Sequence, residues 1–241
     1  MTVVPRDPAG VAGTAGQAET AAATTDPAGT AARTDTAGTA ATTDRAGQAR
    51  TVRVGVLLTV PEPLGSCLSR WREVFLDPLA DAVPPHVTLL PPLAVPAGSL
   101  PAVEAHLSRI AASELAFAVT LCGAGTFRPV SPVVFLALDD GAGDCARLQD
   151  RIRSGPLATE LAFPFHPHVT VAHGVDDAVL DDAADSLCGL RAHFAARYLD
   201  AYLDAGADGT HRWLPWRRFA LVAAGPPAGS PAGPPVRPGC A

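Results

Sequence analysis

Two stretches of this 241-residue chain are nearly the same hexapeptide: Pro84-Pro85-His86-Val87-Thr88-Leu89 and His166-Pro167-His168-Val169-Thr170-Val171. Each sets an imidazole and a hydroxyl two residues apart. On an extended strand, side chains at i and i+2 share a face about 6.6 to 6.8 Å apart. Each His therefore looks into the same space as its Thr, while the Val between them turns toward a core. An imidazole with an ordinary pKa of about 6.5 can take a proton or give one near neutral pH. A Thr hydroxyl can donate to a non-bridging oxygen while charge builds up there. The two motifs stand 168 − 86 = 82 residues apart, and internal duplication is the simplest account of them. Packed side by side about a pseudo-two-fold axis, the two strands would bring a base, an acid and two hydroxyl donors to one cleft. That set needs no metal.

Singly, each of these residues has a plainer explanation. A strand His is more often packed or solvated than catalytic, and Thr is a good β-former; the weight lies in the repetition. His166 shares strand parity with His168, and a His-x-His pair can ligate zinc if a third ligand such as His86 arrives. Pro167 favours an extended residue before it, which suits either role. No Asp, Glu or Cys stands at motif spacing to complete a metal site, so neither metal nor cofactor is expected. His173 has odd parity relative to His168 and points away from the cleft if its strand stays regular. Phe127 is either a stacking residue at the cleft edge or ordinary core. Arg128 beside it could meet a phosphate or simply be solvated. Trp213 and Trp216 read as structural, and His106, His193 and His211 fall outside any constellation.

Elements that could position the motifs are legible around them. Val52 to Val60 is β-branched, short and closed by Pro61, as a strand should be. Leu64, Leu68, Trp71 and Phe75 recur at helical spacing. His86 to Leu90 reads as a strand stopped by Pro91-Pro92, and residues 99 to 112 read as a helix with Val103, Leu107 and Ile110 on one side. Strands are expected at Leu115 to Leu121 and Val133 to Leu138. The pattern then partly restarts: a helix from Asp144 to Ser154, a strand from His168 to Val171, and a helix from Asp176 to Leu190. Ala192 to Ala201 and Arg217 to Ala223 would close the fold, with Trp213-Leu-Pro-Trp216 interrupting between them. Interleaved helices and strands favour an α/β or α+β domain over an all-β one.

Composition bounds the rest. Apolar residues make up 48% of the chain, ample for one core over residues 51 to 224. Residues 1 to 50 repeat Ala, Thr, Gly and Asp with little to bury and are expected to be a disordered arm, as is the Pro- and Gly-rich tail from 225 to 241. The net charge is −6 and there is no Lys, so a broad basic face for long nucleic acid is excluded and any polyanion must be gripped locally. Five Cys without Cys-x-x-Cys spacing argue for reduced thiols. Without a signal-like N-terminus or a long apolar run, a cytoplasmic protein that does not enter the membrane is expected, as a monomer.

On its two His-x-Thr strands and the stretch from Gly123 to Leu138, where Phe127 precedes a strand, the chain resembles the 2H phosphoesterase superfamily over roughly residues 52 to 222. Within it, the likeness is to the bacterial 2′-5′ RNA ligase or RNA 2′,3′-cyclic phosphodiesterase group. The resemblance implies an α+β, bilobal fold: a pseudo-two-fold duplication whose antiparallel sheets line a central cleft, with helices outside. It implies His86 and His168 as acid and base and Thr88 and Thr170 as phosphate ligands; Phe127, Arg128 and His173 are the candidate substrate contacts. The substrate it implies is an RNA 3′ end or small nucleotide carrying a 2′,3′-cyclic phosphate, or a 2′-5′ phosphodiester. Two positions depart from the family pattern. Leu89-Leu90-Pro91-Pro92 replace an aromatic residue and Gly after the first motif, and His173 stands where many members carry Arg, exchanging a permanent cation for a titratable one. The alternative function is a nucleotide or RNA-end binding module with negligible turnover.

Overall fold

The computed structural model describes residues 50–204 and 213–223. The expected arm and tail, and His211, lie outside the described residues. In chain order the elements are β1 (Thr51–Thr59), α1 (Leu64–Val74), β2 (His86–Pro96), α2 (Leu100–Ala111), β3 (Phe117–Thr126), β4 (Val133–Leu138), α3 (Ala142–Ile152), β5 (His168–His173), α4 (Asp177–Leu187), β6 (Arg191–Ala196), β7 (Tyr198–Asp204) and β8 (Trp213–Ala220).

The strands join in one antiparallel, curled sheet with the order β6-β3-β4-β5-β2-β1-β7-β8. It divides into two halves of four strands where β5 meets β2. These two strands pair at a single position, Val87 opposite Val169. The two lobes expected from duplication are thus half-sheets fused at the middle residues of the two motifs.

One face of the sheet carries the core. Val56 and Leu58 of β1, Val87 and Leu89 of β2, Leu136 of β4 and Val169 and Val171 of β5 join one buried cluster with the helices' apolar stripes. Those stripes include Leu68 of α1, Leu107 of α2, Leu148 of α3 and Leu180 of α4. Because all four α-helices of the described residues bury against this face, none of them lies over the other face. Burying each of Val87 and Val169, both fully inaccessible, stabilises the junction by roughly 1.5–3 kcal/mol.

Two prolines expected to end β2 instead lie inside it. Pro91 and Pro92 sit at a register shift between the β1 pairs Val56↔Leu90 and Val54↔Leu93, beyond the point where β5 pairs with β2, so the missing N–H groups break no regular ladder. Pro215 is accommodated similarly in β8, an edge strand, next to a register shift against β7. Trp213-Leu-Pro-Trp216 is therefore strand rather than an interruption. The expected single strand from Ala192 to Ala201 is two, β6 and β7, in opposite halves of the sheet.

Candidate active site

The Val87–Val169 pair decides where the chemistry can be. In an antiparallel pair, the residues flanking an aligned couple are themselves opposed across the strands. His86 therefore stands across from Thr170 and Thr88 across from His168, all four on the helix-free face and all half-buried. The structure brings together the four residues expected to act together.

After each Thr the two strands deviate in the same way. His86–Leu90 and His168–Ala172 show the same succession of half-buried, buried, half-buried, buried and buried residues. On β5 the cause is an extra residue between the pairs Phe135↔Thr170 and Val134↔Ala172, a bulge at Val171. On β2 the shift falls at Leu89, between Leu57↔Thr88 and Val56↔Leu90. A bulge resets the side-chain alternation. His173, opposite Val133, therefore returns to the face of Thr170, where a regular strand would have turned it away. Its Nδ1 is buried and has no hydrogen-bond partner among the described residues. The equivalent place on β2 is Pro91.

Both catalytic candidates are held by the same device. His86 Nδ1 lies 2.6 Å from the Pro84 carbonyl oxygen, and His168 Nδ1 lies 2.7 Å from the His166 carbonyl oxygen. A carbonyl only accepts, so each Nδ1 carries the proton and each neutral ring presents Nε2 as an acceptor. The Thr88 hydroxyl meets His86 Nε2 at 3.1 Å. Upstream of Pro84 the backbone is clamped by buried Arg72, which donates to Asp77 at 2.8 Å and to the carbonyl oxygens of Leu79 at 2.7 Å and of Val83.

Burial makes both rings poor bases. Desolvation is the largest effect on His86 and takes its pKa down to about 4; the positive Arg72 and His168 add to this, and the Pro84 carbonyl opposes it. His168 is lowered as well, first by desolvation and then by His166, against the support of the His166 carbonyl. His86 feels the charge of His168, which places the two rings near one another.

Aromatic rings flank the four residues on both sides. Beside His168, Phe127 stands edge-on at 4.9 Å between ring centroids and stacks obliquely on Phe135 at 4.3 Å, with His166 also in contact with both rings. Phe135 fits because Gly125 lies under it: a Cβ there would come within 2.8 Å of the ring. Beside His86, Trp213 stands at 6.0 Å between centroids.

Of the remaining expectations, Arg128 is turned to α4, where it meets Asp181 at 2.6 Å and Asp177 at 3.3 Å. Among the described residues no group of three or more His, Cys, Asp or Glu could hold a metal ion, and His166 and His168 find no third ligand there. No helix among them is long and apolar enough to cross a membrane. Both tryptophans pack as expected, Trp216 on the main core and Trp213 on a smaller buried cluster of Leu57, Val83 and Tyr202. Sequence reasoning missed the places of Trp213, Phe135 and Arg72 around the site. Only the alternation of β8 could have signalled Trp213, and the adjacent Pro215 hid it.

Residues 60–201 match the model of the 2′-5′ RNA ligase superfamily. The chain belongs to this family, and with it to the 2H phosphoesterases. A protein of Bacillus cytotoxicus provisionally named a phosphoesterase is 31% identical over 115 residues, which are 48% of this chain and 64% of that one. A similarly named Bacillus licheniformis protein is 26% identical over 179 residues, covering 71% of this chain and all of its own length. Among solved structures, apo LigT of E. coli superposes with a TM-score of 0.58 at 25% identity, covering 71% of this chain and 98% of LigT. LigT has also been crystallised with 3′-AMP, with phosphate and with NADP+.

Proposed function

We propose that this 2H phosphoesterase opens 2′,3′-cyclic phosphates, and cleaves or forms 2′-5′ phosphodiesters, at RNA ends or on small nucleotides. The observation that carries the reading is the antiparallel pairing of Val87 with Val169, which sets two imidazoles and two hydroxyls on one helix-free face. LigT, which shares the fold, has been crystallised in complex with 3′-AMP and with phosphate.

In hydrolysis, His86 Nε2 takes a proton from water as its oxygen forms a bond to phosphorus. The bond from phosphorus to O3′ breaks, and His168 Nε2–H gives its proton to that oxygen, leaving a 2′-phosphate. His86 is the base because it is the more strongly neutral of the two in the free protein. Carbonyl acceptors at both Nδ1 positions hold the rings for these roles and stabilise the imidazolium formed at His86. Thr88 and Thr170 donate to the non-bridging oxygens, and as the phosphate arrives Thr88 exchanges its bond to His86 for one to the substrate. His173 supplies a further donor to the phosphate from the bulge. Phe127 forms the wall on which a nucleobase stacks.

The test is turnover of 2′,3′-cyclic nucleotides in the presence of chelator by the wild-type protein and by His86→Ala and His168→Ala. Loss of about 10²- to 10⁴-fold in either variant, with the fold retained, is the expected result. Full activity in either variant, or nucleotide binding without turnover in the wild type, rejects the proposal.

A further inference from the structure

We infer that Trp213 is the platform for a second nucleoside, the one that carries the 5′-hydroxyl joined to or released from the phosphorus. This rests on the reading above and deepens it from a class of reaction to a class of substrate, one with a base on each side of the phosphate.

Trp213 belongs to the cleft face by register. It is opposite Asp204, two residues from the pair Tyr202↔Pro215, and Tyr202 is in turn opposite Gly55. Gly55 shares its face of β1 with Thr59, the partner of His86. Lining this face, the indole lies 6.0 Å from His86 and 6.0 Å from Tyr202, between ring centroids. Its seat is Gly55: a Cβ there would stand 2.6 Å from Cζ3 and 2.9 Å from Cη2, so only glycine lets the ring lie down on the strand. The ring is half-buried, seated on Gly55 and packed against the small buried cluster of Leu57, Val83 and Tyr202.

The chemistry needs a surface at that place. In-line displacement puts the entering and leaving oxygens on opposite sides of phosphorus, and the pseudo-two-fold axis puts His86 and His168 there too. The strand order sends the His168 side toward Phe127 and Phe135 and the His86 side toward Trp213. A 2′,3′-cyclic phosphate carries both ester oxygens on one ribose and uses one aromatic wall; water enters beside His86. When a 5′-hydroxyl enters in place of water, it brings a nucleoside to the His86 side. His86 takes the 5′-hydroxyl proton, the new bond joins O5′ to phosphorus, and the bond to O3′ breaks. His168 protonates O3′, leaving a 2′-5′ phosphodiester. In reverse, the leaving O5′ departs with its base on Trp213.

The experiment compares adenylyl-(2′→5′)-adenosine with adenosine 2′,3′-cyclic phosphate as substrates of the full-length protein. In Trp213→Ala, the ratio of kcat/KM for the dinucleotide to that for the cyclic nucleotide falls about tenfold, the effect of losing one base stack, and most of the loss is in KM. Trp213→Tyr restores the ratio. An unchanged ratio overturns the inference while leaving the two-histidine mechanism standing. If the wild type turns over neither substrate, the mechanism has failed, and the platform is read by fluorescence. With Trp71 and Trp216 replaced by Phe, adenosine 5′-monophosphate quenches the remaining indole if the inference holds, and absence of quenching rejects it.

Discussion

On the proposed assignment, with His86 as base and His168 as acid, titrating the free enzyme exposes the unequal basicity of the two histidines. With its pKa at about 4, His86 is neutral in all but roughly one molecule in 3,000 at pH 7.5, so a base is always available. His168 is the scarce partner, because an acid must be protonated and burial holds its pKa below the usual 6.5. At pH 7.5 the protonated fraction of His168 is therefore smaller than that of an ordinary histidine. The value of kcat/KM, which reports the free enzyme, should therefore be bell-shaped. It rises through about pH 4 as His86 loses its proton, peaks on the acidic side of neutrality, and falls about tenfold per unit once pH exceeds the pKa of His168. The assay is initial-rate hydrolysis of a 2′,3′-cyclic nucleotide from pH 4 to 9 at constant ionic strength with chelator. A profile still rising between pH 7 and 8, or flat from 5 to 8, would refute the assignment of roles and the burial argument behind it.

Three other outcomes follow from the same geometry. Thr170→Val, which keeps the β-branched shape and removes the hydroxyl, lowers kcat about 10²-fold in steady-state assays, because the lost bond strengthens as charge develops on the phosphoryl oxygens. Val169→Ala at the junction of the half-sheets costs about 2 kcal/mol in urea denaturation, since the site is fully buried and closely packed. Folding stability of the wild type falls as pH drops from 6.5 toward 4, because the unfolded chain binds a proton at His86 that the folded one refuses. The full shift corresponds to about 3 kcal/mol, and cleft solvent around the half-buried ring reduces this to about 1–3 kcal/mol. His86→Asn removes that part of the pH dependence, as denaturant midpoints at pH 4.5 and 7 will show.

Much of this protein follows from its sequence alone, because the signals are local. The repeated His-x-Thr hexapeptides, the β-branched run around Val54, the helical spacing of Leu64, Leu68 and Trp71, and the limits of β4 all depend on residues near one another in the chain. The alternation of a strand is enough to say that His86 and Thr88 share a face, as do His168 and Thr170. Tertiary structure alone decided that these are the same face. That outcome rests on one long-range pairing, Val87 with Val169, whose register no local pattern encodes. It likewise decided the direction of His173, because a bulge is a property of two paired strands and inverts every prediction of parity beyond it. Pro91 and Pro92 looked like a stop because the rule against proline in strands assumes a regular ladder on both sides, and here the register shifts at that point. Trp213 meets Gly55 across 158 residues (213 − 55) of chain. A ring and the glycine that seats it carry no mutual mark in sequence, and only packing brings them together.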